Sequence, residues 1–362
     1  MITISLCMIV KNEEKFIGRC LSSIYDLMDE IIIVDTGSVD QTKKIARQFT
    51  NKIYDYTWID NFSSARNYSF ELASKQYTMW LDADDVLDKH NRKLLRQLKL
   101  NLDPSVNSVS MNYLVNPDKF EKPSFIIKRN RLVKTNCQFK WTGAVHEYLK
   151  VNGPIFHSDI CIHHHKNRTD NSKRNLLIYE KQLEKGVVFT PRDLFYYANE
   201  LCRHKDYQNA IKFYDLFLTH KEGWKEDKIT SCGRMADCYR LLDDDEKEKE
   251  MIYKSFTYDD PRADNCCRLG SHFLKKNLLK EAVHWYKLAT KLKWNKNCMG
   301  YYHVPSWTWL PHLQLATCYY RMENFKKAFA HNKIALSYLS DDVDIHNNQK
   351  LILEKLKKTD RF

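Results

Sequence analysis

Four short β-rich runs, residues 2–10, 30–35, 52–58 and 77–81, constrain this chain more than any other feature. Each is followed by a segment with helical spacing: 16–27, 41–49, 63–74 and 88–102. The run EIIIVD at 30–35 reads as a buried strand. Strand and helix in strict alternation build βαβ units, so an α/β domain with a mostly parallel sheet is expected here. From 108 to 162 the pattern changes to short strands and turns, punctuated by Pro104, Pro117, Pro123 and Pro154. Beyond Asn171 strand signals fade and helical periodicity runs to the end. The 362 residues suffice for two cores. We therefore expect an α/β domain at 1–170 and an all-α domain at 171–362.

The helical half repeats itself. A small residue followed by an aromatic or leucine recurs as Tyr197-Ala198-x-x-Leu201, Met235-Ala236-x-x-Tyr239, Leu269-Gly270-x-x-Phe273 and Leu315-Ala316-x-x-Tyr319. Second anchors follow at Ala210, Ala282 and Ala328. Subtracting successive anchor numbers gives spacings of 38, 34 and 46 residues. This resembles the tetratricopeptide pattern, in which small residues let paired helices approach and aromatics fill the gaps. The second copy departs from it, with Glu248 where an alanine is usual. The last interval carries an insertion, 294–309, rich in Trp and Tyr. Stacked repeats of this kind offer a concave surface for extended chains, and they also serve dimerisation. A peptide or protein acceptor and a homodimer through these helices are both expected partners.

Charge and cysteine usage narrow the class. The 58 basic and 46 acidic residues give a net charge of +12, which favours anionic partners. The cations are dispersed, which argues against a nucleic-acid patch. Eleven scattered cysteines without a C-x-x-C pair read as reduced thiols in a cytoplasmic protein. Residues 1–10 lack a basic leader and cleavage site, so they read as a strand and not a signal peptide. No apolar run reaches the roughly 20 residues of a membrane span.

The chemistry concentrates at Trp80-Leu81-Asp82-Ala83-Asp84-Asp85. A strand that runs into Asp-x-Asp sets carboxylates at the lip of a sheet, where ligands of open α/β sheets collect. Carboxylates so close repel unless a cation lies between them, and hard oxygens suit Mg²⁺ or Mn²⁺. A solvated turn capping the helix at 88–102 is the plainer alternative.

Upstream stretches decide between them. Cys7-Met8-Ile9-Val10-Lys11-Asn12-Glu13-Glu14, then Glu30 through Asp35-Thr36-Gly37-Ser38, then Asp82-Ala83-Asp84 resemble, in order and spacing, the family 2 glycosyltransferases. Those enzymes have the nucleotide-sugar-binding GT-A fold. Phe62-Ser63-x-Ala65-Arg66-Asn67 resembles a further segment of that family. With tetratricopeptide-like helices behind it, the chain is similar to the glycocin peptide S- and O-glycosyltransferases.

The resemblance implies an inverting, metal-dependent transferase that takes a UDP-sugar, UDP-glucose or UDP-N-acetylhexosamine, as donor. It implies that Val10, Asn12, Glu13, Asp35, Arg66 and Asp82 bind the nucleotide and that Asp84 binds Mg²⁺ or Mn²⁺. Gly37 suits a turn with φ > 0. The later Trp141–His146-Glu147 stretch implies Glu147 as the base that deprotonates the acceptor, with His146 at the metal or pyrophosphate. His163 and His165, on one face if that segment is extended, are expected at the metal. Asp85 is left a capping or supporting role. A zinc site at Cys161 and these histidines is a rival, as are a transferase acting on cell-surface glycan and an inactive scaffold. The absence of G-x-S-x-G, Walker A, G-x-G-x-x-G and H-E-x-x-H sequences argues against hydrolase, P-loop, dinucleotide and zincin chemistry.

Overall fold

The computed structural model describes residues 1–117, 123–165, 172–295 and 298–359. The chain forms two compact units, Met1–Val188 and Phe189–Phe362. No helix among the described residues is long and apolar enough to cross a membrane.

The first unit is built on a mixed sheet. Strands β1 (Ile4–Val10), β2 (Glu30–Asp35), β3 (Ile53–Asp55) and β4 (Tyr77–Trp80) come from the four β-rich runs. Helices α1 (Ile17–Ser22), α2 (Thr42–Ala46) and α3 (Phe62–Glu71) connect them. β1 pairs in parallel with β2 and β4, and β2 with β3. Both faces are covered, which is why these strands read as continuous apolar runs. Ile4, Leu6, Met8 and Val10 point into one core with Ile17, Leu21 and Leu95. Cys7, Ile32 and Val34 point into the other, with Tyr68, Phe70 and Leu72. Each buried Leu or Ile there contributes about 1.5–3 kcal/mol.

The segment expected as short strands and turns is instead long. After the two-residue β5 (Asp85–Val86) and α4 (Lys89–Asn101), strands β6 (Ser108–Pro117), β7 (Pro123–Lys134) and β10 (Ile155–His164) extend the same sheet. The order is β3-β2-β1-β4-β7-β6-β10-β5. Two-residue strands β8 (Trp141–Thr142) and β9 (Tyr148–Leu149) form a separate hairpin. β7 is antiparallel to both β4 and β6, so the sheet turns from parallel to mixed there. Its half-buried polar residues, Lys128 to Asn130, mask the strand pattern that its pairing reveals. Asp88 caps α4, its Oδ1 accepting from the Asn91 amide at 2.8 Å.

The boundary expected at 170/171 lies earlier than the division between the units. Helix α5 (Arg174–Glu184) belongs to the first unit. Its Tyr179 is buried and donates to the Val145 carbonyl at 3.4 Å. Lys181 pairs with Asp60 at 2.7 Å, and the Arg174 guanidinium lies 4.8 Å from the centre of the Phe62 ring.

The second unit is helical, in antiparallel pairs: α6 (Pro191–Arg203) with α7 (Tyr207–Thr219), α8 (Lys225–Leu241) with α9 (Asp245–Ser255), α10 (Ala263–Lys275) with α11 (Leu279–Lys291). A short α12 (Val304–Trp307) precedes the last pair, α13 (Leu310–Arg321) with α14 (Phe325–Tyr338), and α15 (Val343–Thr359) packs on α14. The repeat anchors sit where helices touch: Ala198, Ala236, Ala316, Ala210, Ala282 and Ala328 are all buried. Gly270 packs so tightly that a Cβ there would lie 2.6 Å from the Tyr286 ring. The irregular Glu248 is buried too, and His272 of the next pair meets its carboxylate at 2.7 Å. A buried charge needs such a partner.

Candidate functional site

Strand β4 ends at Trp80 and the chain turns sharply through the acidic cluster. The Asp82 amide donates to Asp85 Oδ2 at 3.0 Å, and the Asp85 amide returns to the Asp82 carbonyl at 3.1 Å. β5 then pairs with the end of β10, setting His164 opposite Asp85. The His165 amide donates to the Asp84 carbonyl at 3.0 Å. The end of β10 is thereby tied to the acidic turn.

Asp85 is fully buried and far more than a cap. Its Oδ2 lies 3.0 Å from the guanidinium of Arg131, which is itself buried and stacked 3.7 Å from the Trp80 ring centre. His164 Nδ1 lies 3.3 Å from Asp84 Oδ1, 3.4 Å from Asp85 Oδ1 and 2.7 Å from the Tyr113 hydroxyl. Burial disfavours the imidazolium, yet the hydrogen bonds and charges of Asp84 and Asp85 outweigh it and push His164 up to about 9. Asp84, Asp85 and His164 offer ligand atoms that all lie within 4.8 Å of one another. Asp85 Oδ1 is buried and faces His164 Nδ1. Two carboxylates and an imidazole, the last in its neutral form, fit a hard or borderline divalent cation such as Mg²⁺ or Mn²⁺.

His163 and His165, expected at this cluster, are placed differently. His163 Nε2 lies 3.2 Å from Asp88, and the two rings stack with centroids 6.1 Å apart. The histidine between them, on the other face, meets Asp84. Among the described residues Cys161 joins no group of metal-binding side chains.

Arg66 forms the opposite wall. Its side chain is buried between the Trp80 and Trp141 rings, 4.8 Å from the centre of each. It donates from Nη2 to Asp82 Oδ1 at 2.7 Å and from Nε to Glu147 Oε1 at 2.6 Å. Burial opposes ionisation of Asp82, but the Arg66 and Arg131 charges overcome it and hold the carboxyl well below the usual range. Arg66 thus joins two of the expected site acids.

The α3 motif also holds the loop that carries Glu147. The Phe62 amide donates to the Ala144 carbonyl at 2.8 Å, and Ser63 Oγ to the Gly143 carbonyl. Asn67 brackets Trp141, accepting from its amide at 2.8 Å and donating to its carbonyl at 3.1 Å. Gly143 has φ +98° and His146 φ +50°. A non-glycine residue in that region carries strain of about 1–3 kcal/mol, held by its surroundings.

At the end of β2 lies a second polar centre. Asp35 is 1% exposed; its Oδ1 accepts from the amides of Gly37 (2.9 Å) and Ser38 (2.8 Å), whereas Oδ2 is buried with no partner. Gly37, as its turn requires, has φ +104°. An orphaned carboxylate oxygen suits a base N–H or a sugar hydroxyl. The loop bearing Asn12 and Glu13 is zipped to this turn. The Asn12 amide donates to Ser38 Oγ at 2.9 Å, the Val39 amide to Asn12 Oδ1 at 2.9 Å, and the Glu13 amide to Thr42 Oγ1 at 2.7 Å. The Val10 carbonyl accepts from the Thr36 amide at 2.9 Å.

His164, Arg131 and Tyr113 are the site residues that sequence reasoning missed. The signal that could have found His164 is the alternation Ser158, Ile160, Ile162, all buried, which carried on one more step puts His164 and not its neighbours on the inner face of β10.

The sequence pattern of the Glycosyl transferase family 2 matches residues 5–158. A TPR repeat-containing protein of Synechococcus elongatus, Synpcc7942_0270, is 44% identical over 87 residues, 24% of this chain and 22% of that protein. The SPbeta prophage-derived glycosyltransferase SunS of Bacillus subtilis is 28% identical over 224 residues, 58% of this chain and 52% of SunS. The chain thus spans about half, or less, of the length of these relatives. The crystal structure of glucosyl-3-phosphoglycerate synthase from Mycobacterium tuberculosis in complex with Mg²⁺ and UDP aligns with a TM-score of 0.36 and 15% identity, covering 52% of this chain and 82% of that one.

Proposed function

The first unit carries a Glycosyl transferase family 2 domain at residues 5–158, and on that basis we propose that the protein moves a sugar from a UDP-sugar to a Cys, Ser or Thr side chain of a peptide or protein acceptor, with inversion. The observation that carries the reading is the cluster of Asp84 and Asp85, from the turn after β4, with His164 at the end of β10, and the Arg66–Glu147 pair in the same unit. Charge neutralisation of a leaving diphosphate belongs on one side of such a site and proton removal on the other.

Asp84 and His164, with Asp85 behind them, would hold Mg²⁺ or Mn²⁺, which supplies Lewis-acid stabilisation of the diphosphate when bound. Asp35 would receive the uracil or ribose on its unpartnered Oδ2, and the loop of Val10, Asn12 and Glu13 would frame the same nucleoside. Asp82, fixed as an anion by Arg66, would accept from a ribose hydroxyl. Glu147 would take the acceptor proton as the nucleophile attacks. His146, in its strained conformation beside Glu147, would contact the pyrophosphate. A thiol asks less of that base than a hydroxyl, because its ordinary pKa is near 8.5.

A peptide acceptor is favoured by the second unit. Paired helices with tight small-residue contacts form the kind of scaffold that binds extended chains. The test is to incubate the protein with UDP-glucose or UDP-N-acetylglucosamine, Mn²⁺ and peptides containing Cys, Ser or Thr, then to locate added hexose mass by fragmentation. Sugar on such a side chain is the expected result. Transfer to a cell-surface glycan fragment, with peptides untouched, would overturn the acceptor class and leave the transferase reading standing.

A further inference from the structure

The helical unit holds a pair of thiols that the transfer reaction does not use. Cys202, near the end of α6, and Cys238, near the end of α8, bring their sulfurs to 3.5 Å across two successive helix pairs. Both are free. Cys238 is completely buried, while Cys202 is partly open to solvent. Of the two residues, Cys202 is the less buried. Arg234, one turn before Cys238 on α8, has a buried Nε without a hydrogen-bond partner. Its charge acts on Cys202, as does that of Asp237 in the opposite sense.

We propose that Cys202 and Cys238 are a redox dithiol, which a low-molecular-weight disulfide converts reversibly into an intramolecular disulfide joining α6 to α8. The Cys202 thiolate attacks one sulfur of the small disulfide RSSR. A Cys202–SR bond forms, the RS–SR bond breaks, and RS⁻ leaves and takes up a proton. Cys238 then gives its proton to solvent and attacks Cys202 Sγ, expelling the second RS⁻. The protein loses two electrons and two protons, and RSSR is reduced to two RSH. From 3.5 Å the sulfurs need about 1.5 Å of approach to reach bonding distance.

Selectivity follows from the surroundings. The hydrogen bond from Cys238 and the nearby Arg234 charge bring the Cys202 thiol down to about 7 against the opposing effect of burial. Elsewhere burial raises the thiols, Cys232 and Cys266 up to about 12 and Cys318 up to about 11. The thiolate is the attacking species, so Cys202 opens the exchange; Cys238, held up by its hydrogen bond with Cys202 and by burial, attacks only once Cys202 has become a mixed disulfide 3.5 Å away and that hydrogen bond is gone.

The experiment uses the full-length protein with oxidised glutathione, intact-mass measurement and non-reducing peptide mapping. The expected product is lighter by about 2 Da and carries a 202–238 crosslink that dithiothreitol reverses. With Cys238→Ser, Cys202 should instead keep a glutathione adduct of about 305 Da, because no second thiol remains to resolve it. In the reduced wild type, iodoacetamide at pH 7 should label Cys202 about tenfold faster than Cys137. Crosslinks forming first at another pair, stable adducts at Cys202 in the wild type, or equal labelling of Cys202 and Cys137 would overturn the proposal. None of these readouts depends on the transferase reaction.

Discussion

Arg66 Nε lies 2.6 Å from Glu147 Oε1, so the proposed base is held by the same guanidinium that grips Asp82 at 2.7 Å. A single planar fork thereby fixes the spacing between the donor-side acid and the acceptor-side acid. Stacking between Trp80 and Trp141 holds the fork in plane.

Replacing that fork should separate geometry from charge. Arg66→Lys keeps the cation but cannot bond both acids in one plane, and turnover should fall on the order of 100-fold with the fold intact. Arg66→Ala leaves the partly exposed Asp82 and the half-buried Glu147 without their shared partner and should also cost about 1–3 kcal/mol of stability. Thermal melts beside UDP-release rates check both. An Arg66→Lys protein with full turnover would show that the bridge is not needed.

His164 gives a test of the cation site. His164→Ala should raise the Mn²⁺ concentration needed for half-maximal activity by about tenfold or more, whereas His163→Ala should leave it near the wild-type value. His163 contacts Asp88 instead of the acidic turn. A metal titration of each variant reads the difference directly, and equal effects would remove His164 from the cation site.

Acid stability should depend on Glu30. Burial opposes its ionisation, but Lys52, Ser5 and Ser74 hydrogen-bond it strongly enough to bring the carboxyl from 4.5 down to about 2. A depressed carboxyl stabilises the fold above the unfolded value and loses that stability as pH falls through the window from 4.5 to about 2. Lys52 is half exposed, so screening limits the contribution to about 2 kcal/mol. Urea denaturation at pH 7 and pH 3 should show a steeper acid loss for the wild type than for Glu30→Gln.

In the helical unit, Gly270→Ala sets steric overlap against helix propensity. Alanine is favoured in a helix by about 1 kcal/mol. The new Cβ would lie 2.6 Å from the buried Tyr286 ring, and overpacking of that kind costs about 1–3 kcal/mol. We expect net destabilisation, read as a lower melting temperature of the full chain. A rise would mean that α11 yields without loss.

Much of this architecture is legible in the residues themselves. The parallel core announces itself because strands buried on both faces must be apolar throughout, as in EIIIVD at 30–35. The helix pairs announce themselves through small residues that close contact demands, Ala198 and Gly270 among them. The Asp82-x-Asp84 turn is local, so its place after β4 follows from the chain alone. The rest is non-local. Arg131 comes from a strand whose polar residues hide its pairing, and its salt bridge with Asp85 spans the sheet. His164 shares the face of Ile160 and Ile162, but the acids it meets are set by the pairing of β10 with β5, which a sequence does not display. Arg66 reaches Glu147 across 81 positions, through a hairpin that α3 holds in place.

The most direct measurement is release of UDP from UDP-glucose and UDP-N-acetylglucosamine, with Mn²⁺ and with excess chelator, for the wild type and Asp84→Asn. The expected result is metal-dependent release by the wild type, abolished by chelator and reduced at least 100-fold in Asp84→Asn while circular dichroism is unchanged. Release that persists in chelator, or an Asp84→Asn protein as active as the wild type, would contradict the assignment of the acidic turn as the diphosphate–metal site.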